Sequence, residues 1–165
     1  LMSESIFPKK LLRKNYVSDD EHVDAAYTIF TTDFLASIPF FRGIKMKLKY
    51  LPRRDGREAT FYHMTTEGHD EENRQYDQER TERLPWARPL IENEATPEAD
   101  VRVWKERVKG EWRIHLWLHK RNYILVIAQR GSEQNRSYLP WTAFAIQYSH
   151  QQEKYEKRWK RNASK

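Results

Sequence analysis

His63, followed by Thr65 and Thr66 and with Arg80, Arg83 and Arg88 downstream, is the grouping in this sequence best suited to chemistry. A histidine titrates near neutrality, so it takes a proton from a nucleophile or returns one to a leaving group. Arginines present planar forks that match phosphate oxygens. With a hydroxyl nearby, these residue types support RNA cleavage without a metal. One group deprotonates the ribose 2′-hydroxyl, and a second protonates the departing 5′-oxygen. The arginines stabilise the charge that builds on the phosphate between them. The alternative is a strand histidine that only hydrogen-bonds backbone.

The remaining histidines say less. His115 and His119 fall on a predicted strand, where a spacing of four places them on one face but roughly 13 Å apart, too far to share a metal ion. His63 and His69, with Asp70 and Glu71, form the alternative of a zinc or manganese site. No metal and no cofactor are expected. The chain has no cysteine, which excludes disulfides, thiolate zinc sites, iron–sulfur clusters and cysteine nucleophiles. There is no glycine-rich phosphate loop and no Gly-x-Ser-x-Gly element, so neither P-loop nor acyl-transfer hydrolase chemistry is supported.

The elements that must position these groups follow from periodicity. Residues 1–17 show no clean period and are expected to form a loose arm, with a single domain over 18–165. Ser18 followed by Glu21 has capping-box spacing, and Val23, Ala26, Tyr27, Phe30 and Phe34 make one apolar stripe, which predicts a helix. Ile44–Tyr50 alternates apolar and basic residues, Pro52–Gly56 reads as a turn, and Ala59–Thr65 reads as the returning strand of a hairpin. Glu67–Arg83 is polar, a surface helix or a long loop. Leu84, Trp86, Leu90 and Ile91 then supply apolar anchors. Strands are predicted over Val101–Arg107, Trp112–His119, Tyr123–Ala128 and Tyr138–Ile146, with the third covered on both faces. A charged helix follows from about His150. The expected fold class is α+β: an N-terminal helix, an antiparallel sheet made of a hairpin plus a meander, and a C-terminal basic helix.

Composition agrees with a folded domain. The 165 residues are 13% aromatic and carry a net charge of +6. From His150 onward, six basic residues face two acidic ones, so this end holds four of the six surplus charges. Lys154, Lys157, Arg158 and Lys160 would let the last helix track phosphates, although a basic helix is equally a solvated face. On the second strand of the meander, Arg113, His115, Trp117 and His119 share a face that suits either bases and phosphates or a packed helix. Packing is favoured for Trp117, and Arg113 stays open. No apolar run reaches the length of a membrane span and no signal-peptide core is present, so a soluble cytoplasmic protein is expected.

Read in order, Ile29-Phe30, Asp33-Phe34, Phe41-Arg42-Gly43, Phe61-Tyr62-His63-Met64-Thr65, Arg80-Thr81-Glu82-Arg83-Leu84-Pro85-Trp86, Leu90-Ile91-Glu92-Asn93 and Tyr138-Leu139-Pro140-Trp141-Thr142-Ala143-Phe144 form a distinctive series. It resembles a family of small proteins carried by phages and mobile elements, over about Tyr27 to Lys160. The layout is similar to the barnase–EndoU–colicin–RelE group of metal-independent ribonucleases. That resemblance implies His63 as general acid or base, Arg80 and Arg83 as phosphate holders, and Thr142 bonded to a phosphate oxygen. Arg88 and Glu92 are further candidates. It implies RNA as partner, with a protein partner or antitoxin as the alternative, and no membrane. The sequence departs from the group in lacking a second catalytic histidine or tyrosine on the late strand, so Tyr148 or His150 would have to fill that role. Members of such groups also include non-catalytic binders of nucleic acid or protein.

Overall fold

Ser18 accepts a hydrogen bond from the Glu21 backbone N–H at 3.2 Å and starts α1 (Asp19–Phe30) in the computed structural model, which describes residues 5–163. The Glu21 carboxylate reaches the Val17 N–H instead of the Ser18 N–H, so the box closes one residue early. Three acidic residues in the first turn suit the positive end of the helix dipole. The helix continues as a wider π-type turn over Thr31–Ala36, which carries Phe34 onto the buried stripe with Ala26 and Phe30.

Ile44–Tyr50 does not form the predicted long strand. A two-residue turn with Arg42 and Gly43 both at positive φ joins β1 (Phe40–Phe41) to β2 (Ile44–Lys45). After that the chain runs irregularly, although Met46 and Leu48 still point inward. The turn at residues 52–56 is present, closed by reciprocal backbone bonds between Arg54 and Arg57. Ala59–Thr65, expected as a strand, is helix α2. Its β-branched and aromatic content suggests a strand, but Phe61, Met64 and Thr65 are buried at helical spacing. Packing against α1 and the sheet outweighs intrinsic preference over seven residues. The polar stretch that follows holds the short pair β3 (Thr66–Glu67) and β4 (Gln75–Tyr76), then α3 (Gln78–Arg83), capped by Asp77. α4 (Ala87–Glu92) brings Leu90 and Ile91 into the core.

The meander forms as expected: β5 (Arg102–Val108), β6 (Glu111–Leu118), β7 (Tyr123–Arg130) and β8 (Ser137–Ala145), antiparallel and in that order. Every β7 residue except Arg130 is buried. Alternation sends Ile114, Leu116, Leu125 and Ile127 toward α1–α4. It sends Trp104, Trp117, Ile124 and Val126 toward α5 (Ser149–Asn162). The domain is therefore α+β in three layers, with the sheet between the N-terminal helices and α5. Among the described residues no helix is long and apolar enough to cross a membrane.

The expected loose arm is packed where it is described. Phe7 is buried in the main core, the Pro8 carbonyl accepts the Trp86 indole N–H at 2.7 Å, and the Leu11 N–H donates to the Glu82 carbonyl. The indole needs an acceptor and Phe7 needs cover, so this segment closes the N-terminal layer.

His115 lies under α5, stacked on Trp104 at 4.6 Å and nearly parallel to it. Burial first, then the neighbouring Arg158 charge, lowers its pKa from 6.5 to about 4, against the pull of Glu106. The unfolded chain therefore takes up this proton before the folded one. Stability is intact above pH 6.5 and is lost as pH falls toward 4, by about 3 kcal/mol at ~1.4 kcal/mol per pKa unit. The urea midpoint should fall over that window in the wild type and stay flatter in His115→Phe. An equal slope in both would refute the assignment.

Candidate active site

α2 packs Phe61 and Met64 inward and leaves His63 at the edge of the sheet, beside β8. The Nε2 atom of His63 is 3.0 and 3.1 Å from the two carboxylate oxygens of Glu71. Burial lowers the His63 pKa, and the Glu71 hydrogen bond and charge only partly offset it. Burial also opposes ionisation of Glu71, but the bond to His63 and the nearby positive charges hold its carboxyl below the ordinary value. The favoured state is a neutral imidazole donating Nε2–H to ionised Glu71. Its Nδ1 lone pair then meets no hydrogen-bond partner among the described residues, which makes Nδ1 the basic atom.

Arg80 and Thr142 converge on the same place. Arg80 leaves α3 with its Nε 3.2 Å from Asp77, and its Nη1 lies 3.4 Å from both the His63 carbonyl and Thr142 Oγ1. Thr142 donates its hydroxyl to the His63 carbonyl at 2.9 Å. Thus Thr142 fixes the α2 end against β8, and Arg80 bridges the two. Burial lowers the Arg80 pKa, with Asp77 opposing, though an arginine remains charged.

These residues border a cleft of about 530 Å³ that also takes in His69, Arg74, Trp141, Phe144 and Tyr155. Nothing in the sequence pattern singles out Arg74. Its guanidinium donates to Thr66 Oγ1, the Thr66 carbonyl and the Gly68 carbonyl, so loop backbone aims it. Glu71, expected only as a metal-ligand alternative, is the partner of His63. The one available signal for both was their closeness in sequence to His63.

Other expected site residues lie elsewhere. Arg83 turns back to the Glu79 carboxylate and lies over Trp86, so it does not line the cleft. Arg88 donates to the Asp33 and Ser37 carbonyls and pairs with Glu92, closing the exposed end of the long N-terminal helix. Arg113 packs on the Trp141 ring at 4.5 Å, next to the cleft. Arg158 faces the sheet, where Glu106 holds it, and Trp117 is buried beneath α5. Lys154, Lys157 and Lys160 are exposed on the outer side of α5. Tyr148 and His150 stack on each other and do not line the cleft. His69 does, as its second histidine.

Among the described residues no group of three or more His, Asp or Glu side chains is placed to share a metal ion. Asp70, part of that alternative, caps the turn at Glu72 and Asn73. No protein-family model, curated protein or solved structure matches the chain.

Proposed function

We propose that this cleft binds RNA and cleaves it without a metal, by attack of a ribose 2′-hydroxyl on the adjacent phosphate. The observation that carries the reading is convergence: His63, Arg80 and Thr142, from three separate segments, border one cleft with Arg74 and His69. In this reading Nδ1 of His63 takes the 2′-hydroxyl proton. The new P–O bond closes a 2′,3′-cyclic phosphate as the bond to the 5′-oxygen breaks. His69 protonates that leaving oxygen, and Arg74 and Arg80 balance the charge on the phosphate.

The test uses a chelator and an oligodeoxynucleotide with a single ribose. Cleavage only after that ribose, leaving a 2′,3′-cyclic phosphate, is expected. Cleavage at deoxyriboses, or loss of cleavage on chelation, would overturn the mechanism.

One observation favours a second reading, non-catalytic RNA binding. Arg74, Arg80 and Thr142 already spend hydrogen bonds on backbone carbonyls. That reading expects salt-sensitive binding and an intact oligonucleotide in the same assay.

A further inference from the structure

Trp141 is the extra residue of a β-bulge. Val126 pairs with Thr142 and Ile127 with Pro140, which leaves Trp141 with no opposite number. A bulge re-aims the side chain it carries, and here the half-buried indole borders the cleft, its ring centroid 6.1 Å from that of His63. Cations from three other segments converge on it: Arg113 at 4.5 Å, Arg130 at 5.4 Å and Lys49 at 5.5 Å from the ring centroid.

A second tryptophan repeats the arrangement at the same end of the sheet but on its opposite face, the one that Ile114 and Tyr138 share. Lys105 and Arg107 each lie 4.7 Å from the ring of Trp112. Arg130 connects the two places. It reaches over Trp141, pairs with Glu111 at 2.9 Å, and borders with Trp112 and Arg107 a hollow of about 450 Å³. Trp86, Trp104 and Trp117, by contrast, are buried in the core.

An aromatic face ringed by cations offers a base something to stack on and its flanking phosphates something to pair with. A single strand presents both groups in alternation. A duplex keeps its base faces stacked inside. Resting on the reading that the cleft takes RNA, we propose that the ligand is single-stranded. Its strand leaves the cleft over Trp141 and rounds the end of the sheet past Arg130 to a second stacking platform at Trp112, on the other face and outside the cleft.

Fluorescence anisotropy with uncleavable 2′-O-methyl oligonucleotides tests this on the whole protein. The probes are a labelled uridine 4-mer, a uridine 12-mer and a 12-base-pair duplex. The single-stranded 12-mer should bind at least tenfold more tightly than the duplex. Trp141→Ala and Trp112→Ala should each weaken the 12-mer about tenfold, with Trp112→Ala leaving the 4-mer unaffected. The Trp→Phe variants should restore most of the affinity, which separates lost stacking from a damaged fold. Equal or tighter duplex binding overturns the single-strand assignment while leaving RNA binding intact. An unchanged 12-mer affinity in Trp112→Ala overturns the second platform. Absence of binding to any of the three removes the RNA reading and this inference with it.

Discussion

His63→Ala should cleave RNA about a hundred- to ten-thousandfold more slowly than the wild type, the usual contribution of a positioned general base. The pH profile makes the expectation sharper. As a base, His63 works only when neutral, so activity falls as pH drops through its pKa. Burial places that pKa below 6.5, and the acidic limb of kcat/KM should therefore lie below pH 6.5. Glu71 opposes the burial effect by its hydrogen bond and charge. Glu71→Gln should accordingly move the limb to still lower pH, which a purely structural contact would not do. Initial rates on the single-ribose oligonucleotide across pH 4–8 check both statements. His63→Ala at wild-type speed, or a Glu71→Gln limb moved upward, would remove His63 from the base role.

Phe30→Ala should cost about 3–5 kcal/mol, against a total stability of about 5–15 kcal/mol for a domain of ordinary size. Phe30 is fully buried and packs on Phe34 at 5.1 Å and Phe61 at 5.3 Å. Alanine would leave a hole among aromatic rings that are themselves fixed, so collapse around it is limited. Phe61 lies on α2, two residues before His63, so the same vacancy loosens the element that carries His63. Urea unfolding should show a large drop in midpoint with little change in slope. A loss below 1 kcal/mol would mean that the rings repack freely and that α2 does not depend on this contact.

Sequence pattern revealed the parts of the fold whose periodicity is long or whose caps are local. The stripe from Val23 to Phe34 and the serine cap sufficed for α1, and alternation sufficed for the four-stranded meander. α2 escaped because seven residues span fewer than two helical turns. Its threonines and aromatics also favour a strand until α1 and β8 are packed against it. The site was legible by residue type and only partly by residue. Arg80 and Arg83 share one short helix, and nothing local separates them. Arg83 is captured by Glu79 one turn back, while Arg80 reaches a threonine 62 positions away. Sequence alone puts Arg158 on a phosphate-facing surface because its partner, Glu106, lies 52 positions earlier. The places of Arg80 and Arg158 are thus decided by non-local neighbours, and that of Arg83 by a local one.

The walls of the cleft run in sequence from His63 to Tyr155, and this spread has a consequence for a chain still being made. The loop arginine and the α2 histidine leave the ribosome long before β8 and α5 exist to stand opposite them. Until Tyr155 has emerged, the nascent chain has charged groups but no enclosure around them. The order of synthesis thus leaves the cleft incomplete until α5 has docked on the sheet.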